Sequence, residues 1–383
     1  MHRTTYELSV SKAFRSFIFT TLAVSSPFYL SSLGYNSIQV GIALFVSMAS
    51  SSIIVYAFPH LNIRNKPRMF LLASLLSIGL LLLILEHNII FYIIAVIIGG
   101  VSLSGRDLTA NLAIEQYTIS YYETERKSKN HAFSLYNFSA YGVAAIASFS
   151  LYFYKVPDYN LLFGIDLIMA LGQFIPYALV KFPNTIRKSS RVRVDDPEVA
   201  SNIKSIKYLF SMDAFGAGIV NTAIIALWFE YVYKITLSEA GILFLIVNIV
   251  TAISIILSSK LSNRMGVVRT MVYTHIISNV FLLMIPIIHS LIISEVFLFL
   301  RQTTSQMDVP ARDSFTNTII PEEYRVTANS TFNGLRTASM VPGPIISSIL
   351  IDSLPGAVFY SAGSVKLLYD ILFFKKYRNF RKQ

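Results

Sequence analysis

Long apolar runs separated by short polar breaks dominate the chain from end to end. Crossing a hydrocarbon core of ~30 Å takes about 20 apolar residues in a helix. Read on that scale, the runs predict twelve membrane-spanning helices, near residues 12–33, 37–60, 67–86, 89–118, 131–154, 158–180, 205–233, 238–261, 267–288, 291–319, 328–352 and 356–375. The first run has Arg3, Lys12 and Arg15 at its front, as a signal peptide would. It lacks a small-residue cleavage site and is long enough to span, so it is read as the first helix.

Basic residues then set an orientation. They crowd the amino-terminal segment and every second connection: Arg64, Lys66 and Arg68; Arg126, Lys127 and Lys129; Lys181 to Lys207; Lys260, Arg264 and Arg269; Arg325; and the tail from Lys375 to Lys382. The other connections hold only Lys155 and Lys234. Positive charge marks the cytoplasmic side, so both termini are expected there, in a multi-pass protein of the plasma membrane.

Composition agrees. Of 383 residues 54% are hydrophobic and 14% charged, with mean hydropathy +0.57, where a soluble domain carries roughly a quarter charged. The net charge of +11 is explained by membrane orientation, so no nucleic-acid partner is implied. The absence of cysteine excludes disulfides, thiolate metal sites and cysteine nucleophiles. Histidines are scattered, and no Walker loop, GxSxG or dinucleotide fingerprint occurs. The chain is therefore expected to be no enzyme and to need no cofactor or metal.

The longest polar stretch divides six predicted spans from six. It gives an amino-terminal bundle over 1–180, a cytoplasmic linker over 181–206, a carboxy-terminal bundle over 207–375 and a basic tail over 376–383. The halves repeat. Gly41-Ile42 recurs as Gly241-Ile242, and Leu61-x-x-Arg64 as Leu261-x-x-Arg264. Leu103-x-x-Arg106 recurs as Leu298-x-x-Arg301, and Ala132-x-Ser134-x-Tyr136-Asn137 as Ala328-x-Ser330-x-Phe332-Asn333. Four matches in the same order argue for a duplicated six-helix unit, an architecture of transporters.

On these residues the chain resembles the major facilitator superfamily over essentially its full length. The family loop between spans two and three reads G-x-L-a-D-R-x-G-R-K. The repeat copy keeps Leu261, Arg264 and Gly266, and the first copy keeps Leu61, Arg64 and Arg68; Asn263 and Ile63 stand where the family has its acid. The resemblance implies that Arg64, Arg68, Asn263, Arg264 and Gly266 belong to a cytoplasmic gate. Arg106 matches the family's fourth-helix arginine, with Thr109 and Ala110 replacing the glutamine and glycine of that pattern. The proline of the antiporter pattern in span five is absent from Tyr141 to Ile146, and no sugar-porter signature follows spans six or twelve.

Charges in a bilayer are expensive and therefore paired, hydrated or functional. Span four carries Asp107, Asn111, Glu115 and Thr118, and span ten Arg301, Ser305, Asp308 and Arg312; at these spacings each set forms one helical stripe. The resemblance implies that spans one, four, seven and ten line a central cavity. Arg106, Asp107, Asn111, Asp213, Arg301, Asp308 and Arg336 are thus the candidates for binding a polar substrate or carrying a coupling proton. Glu115, Arg312 and Asp313 lie nearer the cytoplasmic end and are candidates for gate ion pairs. The competing reading is that these charges pair to hold helices together.

Pro342-Gly343-Pro344 predicts a kink or break in span eleven. Lys366 and Asp370, four apart, can pair on one face. Phe28, Tyr29, Trp228 and Phe229 fit an interfacial aromatic belt or an outer gate, and His131 and His275 read as satisfied polar residues. The sequence thus describes a twelve-helix, all-α membrane transporter, expected to be a monomer. It moves a small polar or amphipathic solute by alternating access, with protons as candidate coupling ion. The alternative is a non-transporting membrane sensor or assembly partner.

Overall fold

The computed structural model describes residues 1–58, 61, 63–105, 110–156, 158–183 and 194–380. The side chains of 126, 127, 130, 256, 259, 260, 263, 317, 322, 326, 327 and 330 fall outside that description. The described residues form seventeen helices. In chain order they are α1 (Arg3–Ser32), α2 (Ser37–Ala57), α3 (Asn65–Leu85), α4 (Ile89–Gly99), α5 (Ala110–Tyr122), α6 (Arg126–Leu151), α7 (Tyr159–Gly172) and α8 (Phe174–Leu179). There follow α9 (Pro197–Ile219), α10 (Thr222–Tyr233), α11 (Leu237–Met265), α12 (Val267–Met284), α13 (Leu291–Ser305), α14 (Asp308–Ile319), α15 (Glu322–Met340), α16 (Gly343–Ser353) and α17 (Ala357–Tyr377).

These helices fall into the twelve stretches read from the sequence, with spans four, six, seven, ten and eleven each divided in two. Three of the divisions have one cause. A proline ring crowds the carbonyl four residues earlier and removes the hydrogen bond to it. Counting four back from Pro176, Pro310 and Pro344 reaches Gly172, Gln306 and Met340, where α7, α13 and α15 end or have just ended. The stripe from Arg301 to Arg312 was expected on one continuous helix. The Pro310 break divides it, leaving Arg301 and Ser305 on α13 and Asp308 and Arg312 on α14. In span four, Gly100 takes φ +60°, the left-handed region that glycine tolerates, and closes α4.

Starts are capped by short polar side chains, which satisfy amide N–H groups that have no partner inside the helix. Asn36 and Gln39 cap α2 reciprocally, and Asn88, Asp158 and Asn221 accept from Phe91, Leu161 and Ile224.

The chain gathers into two compact units. The first comprises residues 1–187 and 221–248 and the second 188–220 and 249–383, the boundary at Val220–Asn221 falling where α9 gives way to α10. In the first unit α1 packs on α6, α7 and α10, and α3 on α4 and α7. Leu8, Met69, Ile114, Tyr136 and Tyr177 belong to its core. In the second, α9 packs on α15, α16 and α17, and α12 on α13, α14 and α17, around Phe210, Phe315, Phe332 and Phe373. Apolar burial gives little drive between helices in lipid, so close approach of small residues matters more. Gly218 of α9 meets Gly343 of α16 backbone to backbone, and Ser347 donates to the Ile219 carbonyl at 2.7 Å.

Candidate functional site: two buried polar networks

The second unit brings together four helices around Asp213 of α9. Lys366 Nζ of α17 donates to Asp213 Oδ1 at 2.6 Å. His275 of α12 stands between two carboxylates, its Nε2 3.3 Å from Asp213 and its Nδ1 2.7 Å from Asp370. Asn279, one turn on, donates to Asp370 Oδ2 at 2.9 Å. From α14, Arg312 Nη1 lies 3.1 Å from Asp308 and 3.5 Å from Asp213. All of these side chains are buried. A neutral imidazole has one N–H and can donate to one of its two carboxylates, whereas the protonated ring donates to both. Gain or loss of that proton would change how tightly Asp213 is shared with Lys366 and Arg312.

The first unit holds a second network, sealed from solvent. Arg15 of α1 and Glu115 of α5 form a two-pronged ion pair, with N–O distances of 2.7 and 2.6 Å. Tyr177 of α8 and Tyr136 of α6 donate to the same carboxylate at 2.8 and 2.5 Å. Asn111, one turn before Glu115, donates to the Tyr177 hydroxyl at 3.2 Å. Lys12 lies 4.3 Å from the centre of the Tyr136 ring. Farther along, Thr21 of α1 donates to the fully buried Asp166 of α7 at 2.7 Å.

Set against the sequence, the structure brings Asp213, Asp308 and Arg312 into one cluster, and Asn111 and Glu115 into the other. Arg106 and Asp107 lie outside the described residues. Arg301 is buried and donates to Gln302 at 3.1 Å, and Arg336 stacks its guanidinium 5.9 Å from the Phe210 ring. Asp313 is exposed. Three readings change. Lys366 reaches Asp213 rather than Asp370, because Asp370 turns to His275 and Asn279. Arg15, counted as a flanking charge, is only 1% exposed. Phe28, Tyr29, Trp228 and Phe229 are buried within the first unit rather than facing lipid, and Tyr29 meets Tyr92, Tyr159 and Phe163 edge-on or tilted.

At the predicted gate loops, Arg68 donates to the Leu61 and Ile63 carbonyls at 2.6 and 3.1 Å, bracing its own turn. Arg64 and Arg264 are exposed, and the Asn263 side chain lies outside the described residues. Gly266 adopts φ +84° between α11 and α12, a conformation that explains a glycine there. The residues missed by sequence reasoning are Tyr136, Tyr177 and Asn279, with Arg15 and His275 undervalued. The available signal was polar pairs four apart on otherwise apolar helices: Asn111–Glu115, His275–Asn279 and Lys366–Asp370.

Comparison with known proteins follows this geometry. A family model of the Major Facilitator Superfamily matches residues 208–382. An uncharacterized membrane protein of Saccharomyces cerevisiae is 27% identical over 157 residues, a match spanning 41% of this chain and 35% of that protein. Among solved structures, the POT family transporter PepTSo superposes with TM-score 0.77 at 11% identity, covering 99% of this chain and 98% of the other. A point mutant of the nucleoside transporter NupG gives 0.76 at 11% identity, covering 97% and 99%. The human organic anion transporter MFSD10 gives 0.71 at 14% identity, again covering 97% and 99%. With eight helices among the described residues long and apolar enough to cross a membrane, the chain is a multi-pass membrane protein with a transporter fold.

Proposed function

We propose that this chain, whose residues 208–382 match the model of the Major Facilitator Superfamily and whose whole length has the fold of solved transporters, is a secondary active transporter of that family. It carries a small polar or amphipathic solute by alternating access, coupled to protons. The observation that carries the reading is His275 held between Asp213 and Asp370, with Lys366 and Arg312 competing for the same Asp213 carboxylate. Three carboxylates (Asp213, Asp308, Asp370) face Lys366 and Arg312, and with both of these charged one proton on the ring balances the group. A buried cluster must stay near neutrality, so release of the ring proton has to be offset by another charge or by hydration. That requirement is what ties a proton to the transport cycle. Asp213 and Asp308 are the coupling carboxylates, and Arg301, Arg336 and Asn111 the candidates for substrate contact; Arg106 and Asp107 join them on the sequence pattern alone.

The repeat-related bundles are residues 1–180 and 207–375, joined by a linker over 181–206 and followed by a basic tail over 376–383. Alternating basic connections support cytoplasmic termini in a plasma membrane, and the chain works as a monomer. Arg64, Arg68, Asn263, Arg264, Gly266, Glu115, Arg312 and Asp313 are assigned to the cytoplasmic gate.

The test uses purified protein in vesicles loaded with a pH-sensitive dye, challenged with nucleosides and organic anions, the solutes named for two of the matched transporters. A solute-evoked proton flux, lost in Asp213→Asn and His275→Gln, is expected. Solute uptake without proton movement overturns the coupling. Vesicles that pass none of these solutes overturn the transport reading for both classes.

A further inference from the structure

Asp166, near the middle of α7, is fully buried, and its Oδ2 has no hydrogen-bond partner among the described residues. α7 packs on α1 and α3 and continues into α8. Those neighbours offer it no charge. Ser16 to Ser32 of α1, Met69 to Leu85 of α3, the rest of α7 and all of α8 contain no Lys, Arg, His, Glu or further Asp. Tyr154, just past α6, is a titratable group close enough to interact with it. Ser104 and Gly105, which lead into the break of span four, lie against Thr222 of α10.

Its hydrogen bond decides the rest. Thr21 Oγ1 of α1 lies 2.7 Å from Asp166 Oδ1. The same oxygen is 2.9 Å from the Ile18 carbonyl and 3.0 Å from the Phe17 carbonyl of its own helix. A threonine hydroxyl has one proton to give and lone pairs with which to accept. With Asp166 ionised, three acceptors compete for that one proton, and the carboxylate keeps a second oxygen unanswered at membrane depth. With Asp166 protonated, its O–H donates to Thr21, and Thr21 donates to the main chain one turn back, as helical threonines commonly do. Every proton then has an acceptor. An isolated charge in such surroundings is neutralised rather than kept.

We propose that Asp166 is a proton-binding site, holding at neutral pH a proton that joins α7 to α1 through Thr21. Losing the proton leaves an ionised group among apolar side chains, so exchange requires water to enter between the two helices. The site shares no residue with the Asp213 cluster and stands whether or not that cluster moves protons.

Infrared spectra of the purified full-length protein in vesicles, at neutral pH and without solute, test this directly. A protonated carboxyl has a carbonyl stretch that neither a carboxylate nor a carboxamide shows. That band is expected in the wild type, lost in Asp166→Asn and retained in Asp213→Asn. Asparagine has nearly the same shape and can donate to Thr21 as the acid does, so the fold should survive. Thr21→Val removes the acceptor and should move the band to higher frequency; it carries the test if the asparagine variant fails to fold. A spectrum unchanged in both variants overturns the proposal. It would mean an ionised Asp166, neutralised by an alkali cation or by Arg106, which lies outside the described residues. A band that follows Asp213 instead also overturns it. Melting gives an independent reading, because the folded protein holds a proton that the unfolded chain releases. The wild type should lose stability relative to Asp166→Asn as pH rises from about 5 to about 8. A difference that stays constant over that range speaks against the bound proton.

Discussion

Arg15 of α1 and Glu115 of α5 grip each other through two parallel hydrogen bonds, Nη1 to Oε1 at 2.7 Å and Nη2 to Oε2 at 2.6 Å. Nearly the same step along the chain leads from Arg15 to Asp213 and from Glu115 to Arg312, a pair 3.5 Å apart with its charges exchanged. The first pair is completed by tyrosine hydroxyls; the second is shared with Lys366 and His275. The duplicated unit thus holds a closed ion pair in one copy and an open, titratable cluster in the other.

Removing one member of the closed pair leaves a buried charge without its partner, which costs about 3–5 kcal/mol. Arg15→Met and Glu115→Leu should each lower the thermal unfolding temperature sharply. The double variant should recover most of the loss, because neither charge remains. Unfolding in detergent, read as a double-mutant cycle, checks this; strictly additive losses would show that the pair contributes nothing.

A Cβ on Gly343 would enter the Gly218 backbone and one on Gly218 the Met340 backbone, whereas one on Gly142 or Gly164 would meet nothing within 4 Å. Backbone cannot swing aside as a side chain can. Gly343→Ala should destabilise the second unit by about 1–3 kcal/mol, the usual range for overpacking. Gly142→Ala should be neutral or stabilising by about 0.4–1 kcal/mol. Parallel melting curves decide, and equal curves for the two variants would reject the packing account.

How much of this was legible beforehand varies with the physics involved. The twelve apolar stretches were, because lipid imposes a length and a polarity that composition cannot hide. The divisions at Gln173 and Gln306 were equally available, since Pro176 and Pro310 announce them four residues ahead; only the Pro342–Pro344 pair was read that way. The partners of the buried charges were not. Lys366 and Asp370 share a helix face at ideal spacing, yet each turns to another helix, and which neighbour wins is decided by packing between elements distant in sequence. Arg15 misled for a related reason: a basic residue near a helix start looks like a flank until Glu115 is seen beside it.

Outside the spans, Glu123 ties the start of the chain to the turn after α5. Its carboxylate accepts from the His2 N–H at 2.6 Å, from Thr5 at 2.8 Å and from Ser128. Burial pushes its carboxyl up, but these hydrogen bonds outweigh it and hold the group below its ordinary value of 4.5. A depressed carboxyl lends its full stability above the unfolded value and loses it as pH falls through the folded one. Hydrogen-exchange protection at Thr4 and Thr5, the intrinsic rate divided by the observed rate at the same pH, should therefore stay high at neutral pH and fall below about pH 4.5. In Glu123→Gln the protection should be low throughout and should not change across that window; an unchanged profile would falsify the tie.

Gly216 gives the open cluster its own test. It lies on α9 almost one turn beyond Asp213, and a Cβ there would come 2.7 Å from Lys366 Cγ and 3.2 Å from the Ala362 carbonyl. The lysine must give way, and its Nζ would then leave Asp213 Oδ1, 2.6 Å away in the native arrangement. Gly216→Ala should accordingly behave like loss of the lysine itself, with an unfolding temperature and a solute-evoked proton flux close to those of Lys366→Ala. In a Lys366→Ala background there is no Cγ to displace, so adding Gly216→Ala should change stability by no more than about 0.5 kcal/mol, the usual limit for independent sites. If the glycine variant is instead equally harmful with and without the lysine, the contact that matters is with the Ala362 backbone, and the small residue serves helix packing rather than the charge cluster.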